Sequence, residues 1–273
     1  MKRREQIQKL LFYIALCIIG FVMVFPFLWM VATSFKTGTE VYSLSLIPEH
    51  FSLNNYIEVI EGSNFPKWFM NSFIVAGVTT LSVLMIDPLV GYTFAKFRFR
   101  GKEPLFILIL STLMIPTEML IIPWFLMVNK MGWNNSYWSL LFPGLVTAFG
   151  IFLMRQFFMG IPDDLLDAGR IDGLSEFGVY RKVALPLVKP ALSALGIFTF
   201  LGSWNAFLWP VVALDDPSRY TLPVGIALFS GEMLNEWDLI MTGATIATIP
   251  ILIVFIIFQR QIIEGIQLTG VKG

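Results

Sequence analysis

Long uncharged, apolar runs separated by short charged clusters organise this chain. A helix that crosses about 30 Å of hydrocarbon at about 1.5 Å per residue needs about 20 mostly apolar residues. Six runs meet that length, near residues 10–35, 68–95, 104–129, 131–154, 190–214 and 239–259. The second continues past Asp87, the third is interrupted by Glu118 and reads as one span bent by Pro116 and Pro123, and the fourth opens on a polar turn at Gly132–Asn135. The pattern predicts an all-α integral membrane protein with six transmembrane helices, a single domain over 1–273 and one long polar loop at 158–186. No internal repeat, low-complexity tract or soluble domain breaks it.

Composition closes off the other classes. Of 273 residues, 56% are hydrophobic and 14% charged, where soluble domains carry about a quarter charged. A soluble fold of this size has too little interior to hide that surface, and a disordered chain would be poor in apolar residues. The single Cys17 and single His50 leave no disulfide framework and argue against a metal centre or a histidine-based catalytic set. A net charge of zero gives no signal for nucleic acid.

Six spans place both termini on one side. If that side is the cytoplasm, 15 of the 19 Lys and Arg residues lie there, and only Lys36, Lys67, Lys130 and Arg219 lie outside. That is the positive-inside bias. Met1-Lys-Arg-Arg before an apolar run has the look of a secretory signal, but the run is too long and lacks a cleavage site, so it reads as an uncleaved anchor.

The most charged stretch is Ile161–Pro190, IPDDLLDAGRIDGLSEFGVYRKVALPLVKP. Pro162 with Asp163 and Asp164 suits a helix start, because acids complement the positive end of the helix dipole. Gly173 suits its end. Ser175 caps a second short helix that Leu185-Pro186 should close. A plain connector needs neither two helices nor the small pair Ala168-Gly169, which would let another surface approach closely. Docking is therefore the favoured reading of this loop, ahead of a solvated link.

Asp167-Ala-Gly-Arg-Ile-Asp-Gly followed by Leu185-Pro186 resembles the Glu-Ala-Ala loop of the permease subunits of binding-protein-dependent ABC importers. Tyr92-Thr-Phe-Ala-Lys-Phe-Arg-Phe-Arg-Gly-Lys, Gly150-Ile-Phe-Leu-Met-Arg-Gln-Phe-Phe, Gly202-Ser-Trp-Asn-Ala-Phe-Leu-Trp-Pro, Phe258-Gln-Arg and the final Gly270-Val-Lys-Gly are similar to the carbohydrate-uptake branch, which includes the smaller maltose permease subunit. The first acid is Asp167 and the second alanine is Gly169, where the pattern has Glu and Ala.

The resemblance implies a type I importer in the prokaryotic cytoplasmic membrane. Its partners would be a pair of ATP-binding subunits, a second and different permease, and an extracellular or periplasmic solute-binding protein. It also implies that Asp167, Ala168, Gly169, Asp172 and Gly173 couple the spans to the ATPase. No G-x-x-x-x-G-K-[ST] phosphate loop occurs in the chain, so ATP and magnesium are expected on the partner, with no cofactor here. The segment Gly231–Trp237 would reach into the binding protein, and the tail from Gln261 would touch the ATPase.

Polar groups within the spans are the remaining candidates. Glu118 could line the translocation path, or hold a neighbouring helix or the outer interface. Asp87 suggests a local pair or a bend. Trp204 beside Asn205 could offer a sugar both a flat face and hydrogen bonds, or could anchor and join helices. Thr242, Thr245 and Thr248 suit helix packing. Two readings stand against a sugar permease: a self-sufficient secondary transporter, expected to show an inverted repeat and discontinuous helices, and an ABC permease for glycerol phosphate, expected to show cations along its path.

Overall fold

A computed structural model describes residues 2–231 and 236–270, with side chains over 6–231 and 236–259. The helices are, in chain order, α1 (Lys2–Thr33), α2 (Asn54–Glu61), α3 (Phe65–Lys96), α4 (Lys102–Ser111), α5 (Ile121–Lys130), α6 (Tyr137–Leu141), α7 (Ala148–Met159), α8 (Asp163–Ile171) and α9 (Glu176–Val179). A wide π turn at Tyr180–Ala184 leads to α10 (Leu185–Leu187), α11 (Lys189–Trp204), α12 (Leu208–Ala213), α13 (Leu222–Ala227) and α14 (Trp237–Gly270). Four stretches are each long and apolar enough to cross a membrane: Gln6–Thr33, Phe65–Lys96, Tyr137–Met159 and Trp237–Gln259. Two bent pairs, Lys102–Met114 with Thr117–Lys130 and Glu176–Leu187 with Lys189–Trp204, raise the number to six if each is one span.

The chain gathers into two compact units, Met1–Pro66 with Gly225–Ile249, and Lys67–Val224 with Pro250–Gly273. In the first, α1 exposes an unbroken apolar surface that includes Leu10, Phe12, Val22 and Met23. The segment after it is tied down by Lys36, whose ammonium is fully buried. Its Nζ donates to the carbonyl of Ser43 at 3.0 Å, to Ser43 Oγ at 3.1 Å and to the carbonyl of Ser45 at 2.6 Å. Three donors thus meet three acceptors, which is what makes a buried ammonium tolerable. Asn55 on α2 donates to the carbonyls of Ser34 at 3.0 Å and Lys36 at 2.8 Å, and Thr242 on α14 donates to the same Ser34 carbonyl at 3.2 Å. Lys36→Met keeps the length but strands these acceptors; it is expected to cost about 2 kcal/mol or more and to open residues 36–56 to limited proteolysis.

In the second unit, α3 and α7 cross with their backbones nearly touching. A Cβ on Gly91 would stand 2.9 Å from both the backbone nitrogen of Arg155 and Cβ of Met154. One turn away, the fully buried Asp87 carboxylate accepts from the Thr147 N–H at 3.1 and 3.2 Å and from Thr147 Oγ1 at 2.6 Å. Thr147 Oγ1 in turn accepts from Gly150 N at 3.0 Å and caps α7. The expected local pair at Asp87 is therefore a tie to the positive end of α7. Arg155 reaches back to the Phe94 carbonyl at 3.2 Å and lies over the Phe106 ring at 4.1 Å, which seats α4.

Three helical runs of this unit are broken within their apolar length. The α4–α5 run bends by 96° between Met114 and Thr117. Only Pro116 lies at this break; Pro123 sits in the first turn of α5, where a missing N–H loses no intrahelical bond, and it bends nothing. The α6–α7 run is interrupted around Phe142–Thr147, and α11 stops at Trp204 before α12 begins at Leu208. The fourth apolar run becomes helical at Tyr137 because Gly132 and Asn135 both have positive φ, 68° and 55°.

Candidate functional site

The loop between α7 and α11 folds into a helical hairpin. Helix α8 starts on Pro162, with Asp163 and Asp164 in its first turn. It ends through Gly173, whose φ of +81° suits a residue without a Cβ. The Gly173 N–H donates to the Arg170 carbonyl at 3.0 Å and the Leu174 N–H to the Gly169 carbonyl at 3.1 Å, the paired bonds of a Schellman cap. Ser175 Oγ then accepts from Gly178 N at 3.2 Å and starts α9. Leu185-Pro186 does not end this second helix as expected: the π turn precedes it, and the helical run continues to Leu187. The wider turn relieves the clash between the Pro186 ring and the carbonyl four residues earlier.

The two small residues divide their roles. Ala168 is exposed, while Gly169 is buried. A Cβ on Gly169 would lie 3.2 Å from Val183 Cγ2 and 3.5 Å from Leu174 and Val179 methyls. Gly169 therefore lets the two arms of the hairpin close on each other, whereas the expectation had it facing a partner. The outward face carries Ile171, 86% exposed, Phe177, 60%, and Leu165, 47%. Beside them Arg170 joins Asp167 at 2.6 Å and Glu176 at 2.8 Å across the hairpin. The bonds to Glu176 and Asp167 raise the guanidinium above its ordinary range.

The hairpin is continuous with the helices behind it. Leu166, Val179, Tyr180 and Ala184 share one buried cluster with Val83 and Tyr92 of α3, Met154 and Phe158 of α7, and Leu195 of α11. Tyr92 touches the rings of Phe158 and Tyr180, each at 5.2 Å. Lys96, at the end of α3, donates to the Ile161 carbonyl at 2.6 Å and to Asp163 at 2.7 Å. The sequence offers Lys96 only as an orientation charge; its reach to residue 163 has no local signal.

The Lys96 hydrogen bond holds the Asp163 carboxyl below its ordinary range. A lowered folded-state value means that the tie is complete at neutral pH and is lost only as pH falls through that value, below the usual carboxylate range near about 4. Lys96→Met is expected to speed hydrogen exchange across α8 at pH 7 while leaving α3 protected.

The intramembrane candidates do not meet at one point. Glu118 is exposed on the turn Thr117–Leu120. Trp204 is 1% exposed, stacked on Phe200 at 5.7 Å and edge-on to Phe69 at 5.4 Å, so in this conformation its ring is a core ring with no face free for a sugar. Asn205 donates to the Leu201 carbonyl through its backbone N–H at 3.1 Å and its side chain at 2.9 Å, and so closes the end of α11. Of Gly231–Trp237, residues 232–235 lie outside the described residues, as do the side chains of the tail from Gln261.

The profile of the family described as "binding-protein-dependent transport system inner membrane component" matches residues 87–267. The chain belongs to that family. The match begins at the Asp87 tie and takes in the hairpin and all three helix breaks, and it makes this a multi-pass membrane protein of a family of transport components. Among relatives, the arabinooligosaccharides transport system permease protein AraQ of Halalkalibacterium halodurans is 38% identical over 279 residues, covering 100% of both chains. The trehalose/maltose transport system permease protein MalG of Thermococcus litoralis is 30% identical over 276 residues, covering 99% of each. A chain of a bacterial ABC transporter involved in import of the acidic polysaccharide alginate superposes with a TM-score of 0.82 at 25% identity, over 94% of this chain and 97% of that one. The all-helical type I permease fold expected from the sequence is thereby established.

Proposed function

We propose that this chain is a permease subunit of an ATP-driven sugar importer in the prokaryotic cytoplasmic membrane, with both termini cytoplasmic. It forms half of the translocation path beside a second permease and couples that path to a separate pair of ATP-binding subunits. An external solute-binding protein delivers the sugar. The observation that carries the reading is the α8–α9 hairpin: a capped knob with exposed Ile171 and Phe177 outside and a core shared with α3, α7 and α11 behind. The family match, the sugar systems named for the relatives and the positive-inside bias support it.

Asp167, Ala168, Gly169, Asp172 and Gly173 take the coupling role at that knob. Ala168 and the apolar rim meet the ATPase; Gly169 and Gly173 give the knob its shape; Asp167 braces Arg170. ATP and magnesium bind the partner, where closure around the nucleotide displaces the knob. Because the knob shares one core with three helices, its displacement passes to them as a rigid-body movement.

Affinity isolation of the tagged chain from its native membrane in mild detergent tests the assembly. An ATP-binding subunit, a second permease and a solute-binding protein are expected in the isolate by mass spectrometry. The chain alone, or a homo-oligomer without an ATPase, would favour a secondary transporter.

A further inference from the structure

Three helix breaks of the second unit, between Met114 and Thr117, around Phe142–Thr147 and after Trp204, converge on one cavity of about 360 Å³, within the range of small-ligand sites, about 300–1,000 Å³. Thr117 lines it from the α4–α5 break, Gly144 and Thr147 from the α6–α7 break, and Ser203 from the end of α11. Broken backbone at membrane depth is tolerated where it faces protein or a cavity rather than lipid, and these three breaks face one space whose wall is mainly apolar with a few hydroxyls set into it.

Two half-buried indoles stand in its wall beside the exposed rings of Phe149 and Phe198. Trp124 and Trp209 meet edge to face, with centroids 5.6 Å apart at 75°. Trp209 is held by its Nε1–H, which donates to the Ser139 carbonyl at 2.9 Å. The hydroxyls of Thr117, Thr199 and Ser203 have no hydrogen-bond partner among the described residues. No charged side chain is among the described residues that line the cavity.

We infer that this cavity is a subsite for one neutral sugar ring on its way through the membrane, stacked on Trp209 or Trp124 and hydrogen-bonded by Thr117, Thr199 and Ser203. The inference rests on the proposed importer function and adds that this subunit itself touches the substrate, at Trp124 and Trp209 and not at Trp204. Aromatic faces receive the C–H surface of a sugar, and free hydroxyls receive its O–H groups. A phosphate or uronate would instead require cations, so the subsite excludes acidic substrates.

The test uses the complete complex with its binding protein in proteoliposomes, and neutral arabino-, malto- and galacto-oligosaccharides with an alginate oligosaccharide as the anionic comparison. The probe is the sugar accumulated fastest by the unsubstituted complex. With Cys17→Ser and Gly202→Cys, a lining position with open space at its Cβ, labelling of position 202 by a small thiol reagent is followed during transport. At a concentration that saturates import, the neutral sugar is expected to slow labelling, and the alginate oligosaccharide to leave it unchanged.

Trp209→Leu is expected to lower uptake about tenfold, while Trp209→Phe, which keeps a flat face but loses the bond to Ser139, retains most of it. Full import with labelling unaffected by the sugar, or equal loss in Trp209→Phe and Trp209→Leu, overturns the subsite and leaves the importer reading intact. Failure of the unsubstituted complex to accumulate any neutral sugar overturns both.

Discussion

Replacing Gly150 with leucine is expected to remove folded protein from the membrane. A Cβ at this position would overlap the Asp87 carboxylate and stand 2.8 Å from Thr147 Oγ1, in a site where Asp87 is fully buried. Either α7 moves away from α3 or the carboxylate loses the donors that satisfy it. Overpacking alone costs about 1–3 kcal/mol, and a buried charged group stripped of its partners adds at least as much again. The neighbouring crossing at Gly91, where even an added Cβ would stand 2.9 Å from Arg155 N and Met154 Cβ, leaves little slack for the helices to adjust. Yield of monodisperse protein after detergent extraction measures this. Asp87→Asn, which keeps an acceptor at the same place, should recover part of it, whereas Gly150→Leu extracted at the unsubstituted yield would show that the crossing is looser than its distances imply.

Gly173→Val is expected to do the opposite: the protein reaches the membrane, but hydrolysis and import come apart. The left-handed conformation at 173 costs an L-residue about 1–2 kcal/mol, and a β-branched one more. Nothing else lies within 4 Å of its Cβ position, so the strain falls on the Schellman cap and not on the span packing. The cap fixes the angle between α8 and α9, and with it the relation of Ile171 to Phe177. Import by the reconstituted complex should fall at least about tenfold, consistent with a strain of that size, while ATP hydrolysis persists. Import at the unsubstituted rate would remove the hairpin from the coupling route. Gly169→Leu should give a similar loss from inside the hairpin, by forcing Val183 and Leu174 outward.

Much of this architecture is legible in the residues because it depends on local chemistry. The apolar runs give the long helices, Pro162 and the acids after it start α8, Gly173 ends it, and Ser175 starts α9. What escapes is contact at long range. Lys36 reads as a loop charge until its ammonium is seen inside a cage of serine oxygens. Lys96 reads as an orientation charge until it reaches Asp163. Trp204 and Trp209 sit five residues apart with the same chemistry, and only packing separates a core ring from a cavity ring. The breaks after Met114 and Trp204 leave weak signals, since the apolar pattern continues through them. Such breaks also suit a secondary transporter; here they accompany membership in a binding-protein-dependent family.

The central claim is that the α8–α9 hairpin docks on a separate ATPase. The single cysteine makes a direct measurement practical: Cys17→Ser with Ala168→Cys puts the chain's only thiol on an exposed residue at the knob. A photoactivatable crosslinker attached there, in native membranes, should yield one major product in which residue 168 is joined to an ATP-binding subunit, and nucleotide should change its amount. Crosslinks only to lipid, or only to a second copy of this chain, would contradict the account.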